Sequence, residues 1–79
     1  MSRTEVIVPD LGMQSEEIKF GLWLKQVGEE VVAGEDLFEV EADKATVICE
    51  APTSGVLVEQ IVSTGEVQTG AVVGFIDAG

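Results

Sequence analysis

Histidine and tyrosine are absent from this 79-residue chain, and cysteine occurs once. With Cys49 alone, no intrachain disulfide can form, and no conventional zinc, haem or iron–sulfur ligand set can be assembled. Bases are scarce too. Arg3, Lys19, Lys25 and Lys44 stand against 15 acidic residues, a formal charge of −11. Such a charge repels phosphate backbones and anionic lipid, so nucleic acid and membrane are not expected partners, whereas basic protein patches are favoured. The same charge also serves simple solubility. No apolar run approaches the ~18 residues of a membrane span, and no basic-then-apolar leader marks secretion. The expected compartment is reducing and cytoplasmic, or the mitochondrial matrix in a eukaryote. One domain over residues 1–79 is expected; a chain this short buries only about 60% of its unfolded surface, which leaves no room for a deep catalytic cleft. An autonomous enzyme is therefore not expected.

What is present is aliphatic and β-branched. Hydrophobic residues make up 46% of the chain, with only Phe20, Trp23, Phe38 and Phe75 as aromatics. An all-β domain follows from the many Val and Ile residues. Thr4 to Val8 reads as a strand with Val6 and Val8 on one face, stopped by Pro9, which cannot donate to a ladder. Ile18, Phe20, Leu22 and Leu24 alternate with Lys19, Gly21, Trp23 and Lys25, predicting a strand with the first set buried. Trp23 falls on the polar parity, which calls for a bulge or a half-covered outer position. Leu37 to Val40, Thr46 to Cys49, Val56 to Val62, a short piece near Val67, and Val73 to Asp77 complete the strands. Cys49 shares the parity of Val47 and is read as a small core residue.

The chain repeats itself. Val31-x-x-Gly34-x-x-Leu37 returns as Val67-x-x-Gly70-x-x-Val73, and the pairs Gly28-Glu29 and Gly65-Glu66 precede the two copies. Val6-Ile7-Val8-Pro9 similarly resembles Cys49-Glu50-Ala51-Pro52. Two similar halves, each too small to cover its own apolar face, should pack sheet on sheet about a pseudo-two-fold axis. They differ after their prolines, where Pro52-Thr53-Ser54-Gly55 is a minimal turn but Pro9 to Glu16 carries extra residues, including Leu11 and Met13. An added loop on a rigid scaffold is a place for function.

Between the halves, Glu41-Ala42-Asp43-Lys44-Ala45 interrupts two β-rich runs and places a lysine at a hairpin turn. Asp43 suits a turn through its local hydrogen bonding, and small alanines leave the lysine unobstructed. The termini should lie at the pole opposite Lys44. Taken alone, a lysine in an acidic turn is a solvated surface residue, Glu39, Glu41 and Glu50 are a solvated acidic face, and the glycines are turn residues.

In register, Val8-Pro9-Asp10-Leu11-Gly12, Trp23-Leu24-Lys25-Gln26-Val27-Gly28-Glu29-Glu30-Val31, Glu39-Val40-Glu41-Ala42-Asp43-Lys44-Ala45 and Ala51-Pro52-Thr53-Ser54-Gly55-Val56-Leu57 make the chain resemble a lipoyl domain. The family is that of the dihydrolipoamide acyltransferase (E2) components of 2-oxo acid dehydrogenase complexes. The resemblance implies a flattened barrel or sandwich of two four-stranded antiparallel sheets with quasi-two-fold symmetry. It implies lipoic acid as a cofactor, covalently bound as lipoyl-lysine at Lys44, flanked by Asp43 and Ala45. It further implies a swinging-arm acyl carrier. A lipoate ligase or lipoyltransferase would attach the group, a thiamine-diphosphate-dependent E1 would reductively acylate it, the E2 catalytic domain would pass the acyl group to coenzyme A, and a flavin-dependent E3 would reoxidise it. Leu11, Gly12, Met13 and Glu41 are the residues expected to meet these partners. The chain departs from the family's usual pattern at Ile18, where Gly is common, at Ile48, where a polar residue is common, and in a shortened loop between Ile61 and Gly70.

Alternatives share parts of this pattern. A biotinyl carrier domain has the same fold and a hairpin lysine, typically between methionines. A glycine-cleavage H protein carries lipoyl-lysine on a longer chain, and an unmodified sandwich-like interaction module would leave Lys44 incidental. The end of the chain at Gly79, before any linker or catalytic core, is read as that of a domain excised from a longer protein.

Overall fold

The computed structural model describes residues 2–10, 18–42 and 44–78. Eight strands follow in order: β1 (Arg3–Ile7), β2 (Ile18–Trp23), β3 (Glu30–Val31), β4 (Asp36–Ala42), β5 (Ala45–Glu50), β6 (Gly55–Gln60), β7 (Glu66–Val67) and β8 (Val72–Asp77). They form two four-stranded sheets, ordered β1-β8-β6-β3 and β5-β4-β2-β7, with every pairing antiparallel. The chain is thus all-β, as its composition predicts.

Replacing β1, β2, β3 and β4 by β5, β6, β7 and β8, and the reverse, turns the first sheet order into the second. Turn hydrogen bonds obey the same exchange. Gly34 N–H donates to the Ala51 carbonyl at 3.0 Å and Gly70 N–H to the Val8 carbonyl at 2.8 Å, while Ala51 N–H reaches Glu35 and Val8 N–H reaches Ala71. Each Val or Ala so held directly precedes a proline, so the repeated Pro marks where each first strand leaves its sheet. The halves do not, however, form one sheet apiece. Each sheet takes two strands from each half, because neither half supplies enough neighbours to satisfy its backbone groups alone.

The second strand corrects one expectation. Ile18 and Phe20 are buried, but Leu22 is 50% exposed and Leu24 39%. The β2–β4 register shifts between Phe20 and Leu22, and this bulge moves the following residues to the opposite face. Trp23 therefore turns inward against the core. Gly21 permits the bulge, since a Cβ there would stand 2.9 Å from the Glu39 carbonyl oxygen.

Phe38, Leu37, Leu57, Ile76, Val6 and Val8 are the largest fully buried side chains. Burial of each stabilises the fold by roughly 1.5–3 kcal/mol. Phe20 and Phe38 stack at 5.6 Å, and Trp23 lies 5.4 Å from both rings. No charged residue is buried among the described residues.

The ends of β1 and β5 converge: Ile7 and Pro9 share a groove with residues 47–52. The chain termini are joined beside β1's start, where Ala78 N–H donates to Ser2. The longest dimension is 36 Å, more than the roughly 23 Å spanned by a seven-residue strand.

Candidate functional site

The β4–β5 hairpin is the longest paired ribbon in its sheet, running from Asp36↔Glu50 to Ala42↔Ala45. Closing it on Ala42↔Ala45 leaves only two positions between the strands, of which Lys44 is the described one. Lys44 is exposed and has φ +66°. The other positive φ values among the described residues, at 28, 34, 65 and 70, all belong to glycine. A lysine held in the left-handed region crowds its Cβ against the backbone, and the tight antiparallel closure forces it there. Ala42 is fully buried and Ala45 is exposed. The tip therefore rises from a fixed base without a bulky side chain at either closing position.

The lysines sit in different surroundings. Lys25 lies 3.5 Å from Glu35 in an ion pair. Lys19 projects from β2 opposite Glu41 on β4 and Glu66 on β7. No ion pair joins Lys44 to another described residue. A primary amine at an exposed tip, with no ion pair to any described residue, is the group that acylation to an amide requires. Of the three lysines, Lys44 is the one placed at a hairpin tip, whereas Lys19 lies within β2 and Lys25 pairs with Glu35.

Glu41 is exposed on the outer face of β4, between Lys19 and Thr46. It thus stands beside the hairpin, though its cross-strand neighbour is a base of its own sheet. Asp43, Leu11, Gly12 and Met13 lie outside the described residues. Cys49 is buried, at 3% exposure, and burial pushes its thiol up to about 11. It faces the core, as its parity with Val47 predicts.

Sequence reasoning missed the apolar groove where Ile7, Pro9, Val47, Ile48, Cys49 and Pro52 meet. Its signal was faint: Ile48 falls on the outward parity of β5. It also missed the left-handed lysine, which a two-residue hairpin loop should have suggested.

Comparison with known proteins identifies the family. A biotin/lipoyl family model, described as "Biotin-requiring enzyme", matches residues 4–76. The chain is 42% identical over 77 residues to the dihydrolipoyllysine-residue succinyltransferase component of the 2-oxoglutarate dehydrogenase complex of Bartonella vinsonii subsp. berkhoffii, covering 96% of this chain and 19% of that protein. The corresponding Bacillus subtilis (strain 168) component is 42% identical over 76 residues, covering 95% of this chain and 18% of the relative. A dihydrolipoyllysine-residue acetyltransferase component of the acetoin cleaving system of Pseudomonas putida is 39% identical over 59 residues, 75% of this chain and 16% of its own length. The chain spans less than a fifth of each of these relatives.

Proposed function

The chain belongs to the biotin/lipoyl domain family, and on that premise we propose that it is a lipoyl carrier domain of a 2-oxo acid dehydrogenase E2, with lipoic acid attached to the Nζ of Lys44. The observation that carries this reading is the conformation of Lys44. Among the described residues it is the one side chain-bearing position with positive φ, at an exposed tip that strain alone would assign to glycine. A requirement for the amine explains why lysine stands there.

The cofactor choice rests on two supports. The similar relatives are named as dihydrolipoyllysine-residue acyltransferase components, and Asp43 and Ala45 flank the lysine where biotinyl domains typically carry methionine. When bound, the group supplies a dithiolane that accepts an acyl group on reduction. The domain's own part is mechanical. β4 and β5 hold the tip in one direction, and a tether on that tip keeps the reactive end at high effective concentration near successive active sites.

The partners follow from that role: a lipoate ligase or lipoyltransferase, a thiamine-diphosphate-dependent E1, an E2 catalytic domain, and a flavin-dependent E3. The acidic surface favours basic patches on them. Leu11, Gly12, Met13 and Glu41 are the proposed contacts for E1.

Intact mass tests the site and the cofactor together. Incubated with lipoate ligase, lipoate and ATP, the domain should gain one lipoyl adduct, and Lys44→Arg should fold and gain none. An adduct on Lys19 or Lys25 in that variant, or a biotinyl adduct in place of a lipoyl one when biotin ligase and biotin are offered alongside, would overturn the reading.

A further inference from the structure

The groove between β1 and β5, each the outer strand of its sheet among the described residues, lies on the strand that follows Lys44. Ile7 and Ile48 are 47% and 50% exposed, and together with Pro9, Val47 and Pro52 they line an open, mostly apolar surface that also includes the exposed Glu50. Exposed aliphatics of this size, gathered from strands 41 positions apart (48 − 7), call for an occupant. We propose that this groove is a resting site for the lipoyl arm of Lys44, receiving its saturated disulfide ring and aliphatic chain between encounters with partner enzymes. The inference rests on lipoylation at Lys44.

Reach supports it. Val47 stands three residues after Lys44, about 10 Å along an extended strand, a distance that a lysine side chain lengthened by an eight-carbon acyl chain covers. Chemistry supports it as well. The arm is neutral once the amine is an amide, so it gains nothing from the acidic surface and loses apolar hydration only where it meets aliphatic groups. The one residue in the groove that could react with a disulfide ring is Cys49, and it is held silent. Its thiol is buried and raised to about 11, so near neutral pH almost no thiolate exists to attack a disulfide. A reactive cysteine at this position would trap the arm as a mixed disulfide; a protonated, buried one does not.

Methyl-labelled protein provides the test. Spectra of the domain lipoylated at Lys44 are compared with those of the domain acetylated at Lys44, which loses the same charge without gaining the arm. The Ile7, Val47 and Ile48 methyl resonances should shift in the lipoylated form alone, with nuclear Overhauser contacts to the ring protons. Ile48→Thr, conservative for an exposed strand position, should remain folded and lipoylated while the shifts at Ile7 fall at least twofold. Equal spectra for the lipoylated and acetylated forms, without such contacts, would overturn the inference and leave the groove to a protein partner. A domain that gains no lipoyl mass at Lys44 would overturn the underlying reading and this inference with it.

Discussion

The indole N–H of Trp23 donates a 2.7 Å hydrogen bond to the carbonyl oxygen of Val62, 39 residues away in sequence. Trp23 reaches it only because the bulge at Gly21 turns the end of β2 inward, so one bond ties the bulged strand to the segment after β6. The same ring packs against Phe20 and Phe38 and lies over Gly74, where a Cβ would meet it at 3.0 Å. Trp23→Phe should keep most of the packing and lose the bond, leaving a part-buried carbonyl without its donor. A destabilisation of about 1–2 kcal/mol is expected. Urea denaturation followed by far-ultraviolet circular dichroism measures it, and an unchanged midpoint would show that the bond contributes nothing net.

Gly34 and Gly70 make equivalent turns, with φ +88° and +86°. A Cβ added to either would meet no atom within 4 Å, so alanine at either site would be strained by its backbone and not by a clash. Gly34→Ala and Gly70→Ala should therefore each cost about 1 kcal/mol, and the two should agree within a few tenths. Unequal losses in matched denaturation curves would mean that the two-fold relation of the folds does not extend to their energetics.

That relation was legible in the sequence because the repeated Val, Gly and Pro positions each perform a backbone task that recurs. The exchange of strands between halves was not legible, since a period-2 pattern says which face is buried and nothing about which strand lies alongside. Leu22 and Leu24 were misread for a related reason. A single bulged residue inverts every side chain beyond it, and only Trp23, on the wrong parity, betrayed the bulge. The place of Lys44 at a hairpin turn was legible from the β-rich runs on either side, but its left-handed backbone depends on the closing pair Ala42↔Ala45. The groove of Ile7 and Ile48 joins residues from different sheets, which no local pattern connects.

Cys49 makes stability depend on alkaline pH. Burial raises its thiol from an ordinary 9.0 to about 11, so the unfolded chain ionises first. Above pH 9 the unfolded state binds fewer protons than the folded state, and stability falls as pH rises towards 11, by on the order of 2 kcal/mol. Below pH 9 this contribution is fully present. Cys49→Ala removes the group that titrates while costing about 1 kcal/mol or more through lost packing at neutral pH. The advantage of the parent protein over Cys49→Ala in urea midpoint should therefore fall from pH 8 to pH 10.5, and reverse in sign if the packing loss is only about 1 kcal/mol. A constant difference would place the thiol in a more solvated site than its 3% exposure indicates.

Lys44 carries the sharpest conflict between fold and proposed role. Its φ of +66° belongs to a region that costs an ordinary residue roughly 1–2 kcal/mol and glycine almost nothing. Glycine also loses more backbone entropy on folding, which offsets part of the relief. Lys44→Gly should consequently raise stability by a net ~0.5–1 kcal/mol while abolishing modification. Lys44→Ala, which keeps the Cβ, should abolish modification without the gain. The pair separates two effects that a single substitution merges: loss of the amine, common to both, and release of the backbone, confined to glycine. Thermal and urea unfolding of the unmodified domains measures the second effect, and intact mass after ligase treatment measures the first. Equal stability of the glycine and alanine variants would mean that the hairpin holds Lys44 without strain, and that a stable turn, with no demand for an amine, is enough to account for the residue.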